Sequence, residues 1–136
     1  MKKTILAIDQ GTTSTRAIVF NHQGKPIASS QLEVSLISPK SGWAEQNPNE
    51  IWETTLAVIK DVLKKPNVDI SSIQAIGITN QRETTIVWDK ITQKPIYNAI
   101  VWQSRQSQGI CEKLIREGKK DLIQQKTGLL INPYFS

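Results

Sequence analysis

Apolar residues are distributed along the chain in three distinct ways. Thr4 to Asp9 and Arg16 to Phe20 are nearly continuous apolar runs, the pattern of central strands covered on both faces. A turn, Asn21-His22-Gln23-Gly24-Lys25-Pro26, separates the second run from Ala28 to Leu36. There Ala28, Ser30, Leu32, Val34 and Leu36 alternate with Ser29, Gln31, Glu33 and Ser35, the pattern of a half-exposed strand towards a sheet edge. Together these predict a three-stranded antiparallel meander.

The period then changes. After an irregular loop carrying Trp43, Asn47 stands as a helix N-cap with Pro48 at the first helical position. Glu50 follows three residues after the cap, as in a capping box. Ile51, Trp52, Leu56, Ile59, Val62 and Leu63 recur at helical spacing, with Trp52 expected in the core, and Pro66 ends the helix. Ile73 to Thr79 is a short buried strand. A helix between it and the meander predicts a right-handed crossover and parallel pairing with the first strand. Thr84 to Trp88 and Asn98 to Trp102 read as two further strands around an Asp89 to Pro95 turn. A second helix is expected from Arg105 to Glu117, with Ile110, Cys111, Leu114 and Ile115 on one face and Gly118 as its stop. A short helix, Asp121 to Lys126, ends at Gly128. The class is α/β, with a β-β-β-α-β order.

With 136 residues, 38% hydrophobic and 21% charged, the chain has a globular composition in the size range of one domain. The net charge of +5 suits phosphate-bearing partners. The basic residues are nevertheless scattered, and the pairs Lys64-Lys65 and Lys119-Lys120 fall at helix ends, so nucleic acid is not an expected partner. Cys111 is the single cysteine, which excludes an intrachain disulfide and a cysteine zinc site; it reads as a small buried side chain. His22, the single histidine, reads as a solvent-exposed turn residue. No signal peptide or membrane-length apolar run is evident, so a cytoplasmic protein without membrane insertion is expected.

The chemistry concentrates between the first two strands, at Asp9-Gln10-Gly11-Thr12-Thr13-Ser14-Thr15-Arg16. Glycine permits close approach of the backbone to a ligand. Hydroxyls and successive N–H groups make a donor surface for phosphate oxygens, and a strand-end carboxylate can hold Mg²⁺ through water. An ordinary Ser/Thr-rich turn would look the same. There is no GxxxxGK[ST] and no GxGxxG, so neither a P-loop nor a Rossmann dinucleotide site is present.

The β-β-β-α-β order with such a loop resembles the ribonuclease-H-like ATPase fold of actin, the Hsp70 chaperones and the sugar kinases. Three further blocks sharpen this: Gly77-Ile78-Thr79-Asn80-Gln81-Arg82-Glu83-Thr84-Thr85, Tyr97-Asn98-Ala99-Ile100-Val101-Trp102-Gln103 and Asn132-Pro133-Tyr134-Phe135. In this order, and across essentially the whole chain, they resemble the glycerol kinase branch of the carbohydrate-kinase family called FGGY. Relatives acting on xylulose or gluconate share the loop but usually differ at the Asn-Gln-Arg-Glu block.

The resemblance implies ATP-dependent phosphorylation of glycerol to sn-glycerol 3-phosphate, with ATP and Mg²⁺ as cofactors. It puts Thr12, Thr13, Ser14 and Arg16 at the nucleotide phosphates and Asp9 in the Mg²⁺ shell. It puts Arg82, Glu83, Trp102 and Tyr134 around glycerol. Those residue types suit a small triol: Arg82 offers five donors, Glu83 accepts from hydroxyls, and the two aromatic rings wall the carbon backbone. Adjacent strand residues point to opposite faces, so Arg82 and Glu83 can serve one ligand only if the backbone bends at Asn80 to Glu83. Trp43 and Trp88 are read as structural.

The resemblance also implies that residues 1–136 are the N-terminal part of the first domain of a larger two-domain kinase. The general-base aspartate would lie in a later segment, the full-length enzyme would be a homo-oligomer, and the fragment alone would be inactive and bind glycerol weakly. Two alternatives have their own signatures. A kinase for another polyol or sugar would share the loop. A nucleotide-binding switch of the actin/Hsp70 kind would need the loop but not Arg82, Glu83 or Trp102.

Overall fold

The computed structural model describes residues 3–135. It contains two compact units interleaved in sequence. The first comprises the described residues up to Ser35 with Gln46–Gln81, and the second Leu36–Glu45 with the described residues from Arg82 onward.

The first unit is a four-stranded sheet with one helix. Strands β1 (Thr4–Gln10), β2 (Ser14–Asn21) and β3 (Pro26–Glu33) form the antiparallel meander, and β5 (Ile73–Thr79) completes the order β3-β2-β1-β5. β1 pairs antiparallel with β2, Leu6 opposite Val19 and Ile8 opposite Ala17. It pairs parallel with β5, as the helical crossover requires. β3 lies at the sheet edge, as its alternation predicts, but ends three residues sooner than expected.

Helix α1 (Pro48–Leu63) begins as the sequence indicates, with Asn47 accepting from the Asn49 N–H and Pro48 in the first turn. Glu50 does not close a capping box. Its Oε1 accepts the Ser35 N–H at 2.9 Å, so the carboxylate ties the end of the β3 segment to the helix instead. Val58 and Val62 of α1 pack on Leu6, Ile8, Ala17 and Val19, all buried. Each valine contributes roughly 1.5–3 kcal/mol by burial.

Further expectations are corrected. β5 is not a buried strand: as the terminal strand of the sheet it is exposed from Gln74 to Thr79. β1 and β2 are not covered on both faces. Their burial alternates, because α1 takes the Leu6/Ile8/Ala17/Val19 face, while Ile5 opposite is 48% exposed. Trp52 is not core: it is 62% exposed, since the inward stripe of α1 is fixed by Val58 and Val62.

β4 (Glu45–Gln46) and β6 (Ala99–Ile100) form a two-stranded sheet. The runs Thr84 to Trp88 and Asn98 to Trp102 do not make full strands. They meet at the bridges Thr85–Ile100 and Trp88–Pro95 around the 89–94 turn. Asp89 organises that turn, accepting from the Thr92 N–H and hydroxyl and from the Ile91 N–H. With so many polar groups bonded locally, ladder pairing is intermittent.

Helix α2 (Gln108–Arg116) starts three residues later than its apolar pattern suggests, and the Arg105 N–H ahead of it donates to the Gly42 carbonyl at 2.8 Å. Cys111 is buried on it as predicted, but Ile110 and Ile115 are exposed. Gly118 at φ 71° ends the helix region, and Gly128 at φ 76° caps α3 (Lys120–Thr127). His22 is exposed, as expected for its turn. No helix among the described residues is long and apolar enough to cross a membrane.

Candidate functional site

The Asp9 to Arg16 segment is a β1–β2 connection of the first unit, with Gly11, Thr12 and Thr13 between the strands. The Gly11 N–H donates to the Ser14 carbonyl at 3.0 Å, closing the turn. A Cβ on Gly11 would stand 3.0 Å from that same oxygen, a contact tight enough that the turn would have to shift to take a side chain. Asp9 and Arg16 are register partners, as are Arg16 and Gln31, so all three occupy the face opposite α1. Arg16 Nε donates to Gln31 Oε1 at 2.9 Å. Thr13 is exposed, and Thr12, Ser14 and Arg16 are half-buried, leaving this connection accessible to a ligand.

Asp9 is an exposed carboxylate at the end of β1. Among the described residues no group of three or more His, Cys, Asp or Glu side chains could hold a metal by itself. A single carboxylate fits Mg²⁺, which keeps several waters and is commonly shared with substrate phosphates.

The expected backbone break is present. β5 stops at Thr79, and Glu83 adopts φ 62°, a left-handed conformation that costs a non-glycine residue roughly 1–2 kcal/mol. The alternation of faces is therefore interrupted where Arg82 and Glu83 sit. The following residues belong to the second unit and are held there: Thr85 and Ile100 exchange two backbone hydrogen bonds of 3.0 Å. Thr84 Oγ1 accepts the Trp102 N–H at 3.4 Å. The bend is thus anchored to the segment carrying Trp102.

Trp102 and Tyr134 come together edge to face, with centroids 5.6 Å apart and rings at 72°. Tyr134 in turn meets Phe135 edge to face, with centroids 5.0 Å apart. The two rings line a cavity of about 300 Å³ with Gln103, Ser104, Arg105 and Asn132. Arg82 and Glu83 are not among its lining residues. The structure therefore joins the aromatic pair directly, and connects the charged pair to it through Thr84 and Thr85.

Three buried polar residues, missed from sequence, hold these segments. Glu45, fully buried, accepts from Tyr97 Oη (3.0 Å), Asn98 Nδ2 (2.9 Å) and Gln106 Nε2 (2.8 Å). It clamps both sides of the stretch containing Trp102. The Tyr97 hydroxyl is pushed above the usual tyrosine range, first by its hydrogen bond to this carboxylate, then by burial and the carboxylate charge. In the first unit Gln46 and Gln81 lie beneath the β1–β2 loop. Only the polar Glu-Gln pair before the helix cap hinted at Glu45 and Gln46, and nothing in its neighbours marked Gln81 as buried.

The model of the FGGY carbohydrate kinases' N-terminal domain matches residues 4–136. The chain belongs to the FGGY family of carbohydrate kinases. It is 59% identical over 135 residues to the glycerol kinase of Oceanobacillus iheyensis, covering 99% of this chain and 27% of that enzyme. It is 57% identical to the Bacillus subtilis glycerol kinase over 136 residues, again 27% of that enzyme. The Plasmodium falciparum glycerol kinase, solved with ADP, superposes with a TM-score of 0.86 at 36% identity, over 99% of this chain and 27% of that one. The gluconate kinase of Lactobacillus acidophilus gives 0.87 at 28% identity, over 98% and 26%. The fold is accordingly that of the sugar kinases in the actin-like ATPase class, and this FGGY chain spans about 27% of the length of the curated relatives it matches.

Proposed function

We propose that this FGGY chain is the N-terminal part of the first domain of a two-domain glycerol kinase, which transfers the γ-phosphoryl group of ATP to glycerol. The observation that carries the reading is the contrast in identity: 57–59% with bacterial glycerol kinases but 28% with a gluconate kinase, over nearly the same residues. The bent Arg82-Glu83 pair and the Trp102–Tyr134 walls support it, because a triol needs fixed donors and acceptors against apolar surfaces.

In this reading Thr12, Thr13, Ser14 and Arg16 bind the nucleotide phosphates, and Asp9 holds Mg²⁺ through water. Mg²⁺ bound there would neutralise charge on the phosphate oxygens. Arg82 donates to glycerol hydroxyls, Glu83 accepts from them, and Trp102 and Tyr134 flank the carbon chain. The glycerol oxygen forms the new bond to the γ-phosphorus as the bond from phosphorus to the β–γ bridging oxygen breaks, and ADP leaves. The hydroxyl proton passes to a general-base aspartate outside these residues. Catalysis is then chiefly positioning and charge neutralisation. The protein is cytoplasmic and, at full length, a homo-oligomer.

The test is a graft. Residues 1–136 replace the matched segment of the Bacillus subtilis glycerol kinase. The chimera is expected to phosphorylate glycerol with ATP and to lose glycerol affinity on Arg82→Ala. A folded chimera that prefers xylulose or gluconate, or that binds nucleotide and ignores every polyol, would overturn the assignment.

A further inference from the structure

The β1–β2 loop turns its carbonyl oxygens back into the protein. The Gly11 carbonyl accepts from Gln10 Nε2 at 2.9 Å and Gln81 Nε2 at 3.5 Å. The Thr12 carbonyl accepts from Gln46 Nε2 at 2.6 Å. The Thr13 carbonyl takes the Val34 N–H, and the Ser14 carbonyl the Gly11 N–H, both at 3.0 Å. A carbonyl oxygen is the negative end of the peptide dipole and repels an anion. A loop that draws these oxygens inward leaves its hydroxyl-bearing side for phosphate.

The two interior donors are Gln46, at 0% exposure, and Gln81, at 8%. They do not act independently. Gln81 Nε2 donates to Gln46 Oε1 at 2.9 Å, and 3.3 Å separates it from Gln10 Oε1. A primary amide has one donor end and one acceptor end. With Oε1 engaged by Gln81, the Nε2 of Gln46 must face Thr12. Gln81 thus fixes the orientation of Gln46, and Gln46 fixes the loop.

We infer that Gln46 and, behind it, Gln81 are positioning residues for the nucleotide phosphates, holding the Thr12 carbonyl away from the ligand. The inference rests on the nucleotide reading of the loop given above. A merely structural amide pair would affect folding stability without singling out the nucleotide.

The experiment uses the grafted kinase, with ADP affinity by calorimetry, the KM values for ATP and for glycerol, and the thermal midpoint. Gln46→Met is expected to weaken ADP binding and raise the ATP KM roughly tenfold, as loss of a buried hydrogen bond predicts. The glycerol KM should stay within about twofold, since uniform loss of activity is not the claim. Gln81→Met, which leaves the Gln46–Thr12 bond possible but unoriented, should shift the same quantities in the same direction by a smaller factor. Gln46→Glu keeps an acceptor for Gln81 but turns a carboxylate oxygen towards the Thr12 carbonyl, and should also fail to restore ADP affinity.

A lowered thermal midpoint with unchanged ADP affinity and ATP KM would overturn the inference. Should Gln46→Met not fold, Gln81→Met decides it on the same readouts. A parent chimera that binds ADP but does not phosphorylate glycerol would refute the glycerol kinase reading while the ADP measurements still judge the glutamines. A folded parent that binds no ADP overturns both.

Discussion

The Tyr97 hydroxyl donates to the fully buried Glu45 carboxylate across 3.0 Å, and the same carboxylate holds Asn98 and Gln106. The bond favours protonated tyrosine, so the folded-state pKa lies above the unfolded value. Stability from this contact is fully present below the unfolded tyrosine pKa, about 10, and is lost as pH rises through the raised folded value. Thermal unfolding of the protein between neutral and strongly alkaline pH should show that loss, and Tyr97→Phe should reduce the alkaline slope. An identical slope in the variant would remove Tyr97 as its source.

Gly11 leaves little room for a side chain. A methyl group there would press on the Ser14 carbonyl at 3.0 Å, the oxygen that accepts the Gly11 N–H. Gly11→Ala is expected to cost about 1–2 kcal/mol in stability and to weaken nucleotide binding in the grafted kinase. Calorimetric ADP titration alongside thermal melts checks both, and unchanged binding would mean that the turn can shift without consequence.

Glu83 keeps a left-handed backbone, φ 62°, that glycine would adopt without steric cost. Glu83→Gly should therefore alter stability by less than about 1 kcal/mol. It should nevertheless raise the glycerol KM of the graft by roughly tenfold or more, as loss of a charged hydrogen-bond acceptor does. Glu83→Val, β-branched at positive φ, should cost stability as well. Retention of the glycerol KM in Glu83→Gly would show that the carboxylate does not touch substrate.

Helix α1 supplies a contrast in stability. Val58 is completely buried against the sheet, and Trp52 is 62% exposed. Val58→Ala should destabilise by about 2 kcal/mol, whereas Trp52→Ala should stay within about 0.5 kcal/mol. Urea unfolding of both variants measures the difference, and a larger cost at Trp52 would mean that the tryptophan is covered in solution.

These residues also show what the sequence made legible. The meander, the crossover and the start of α1 follow from local signals, namely alternation, Asn47 and Pro48, and short-range rules carry them. The bend at Asn80 to Glu83 was deducible because two adjacent polar residues could serve one ligand only if the backbone turned. Trp52 was misplaced because helical spacing gives an apolar stripe but not which edge of it meets the sheet. The 84–102 hairpin was overestimated because apolar runs say nothing of side chains such as Asp89 that bond the turn locally. Glu45, Gln46 and Gln81 were illegible as a group: their burial depends on partners up to 71 residues away in sequence.

The last strand of the four-stranded sheet has a consequence for handling the protein. β5 pairs with β1 on one side and is the terminal strand of the sheet on the other, and its Ile76 and Ile78 are 61% and 74% exposed. A strand with a free row of amides and an apolar side is a template for adding another strand. Expressed as these 136 residues alone, the chain should self-associate in a concentration-dependent way, and charged substitutions at Ile76 and Ile78 should keep it monodisperse.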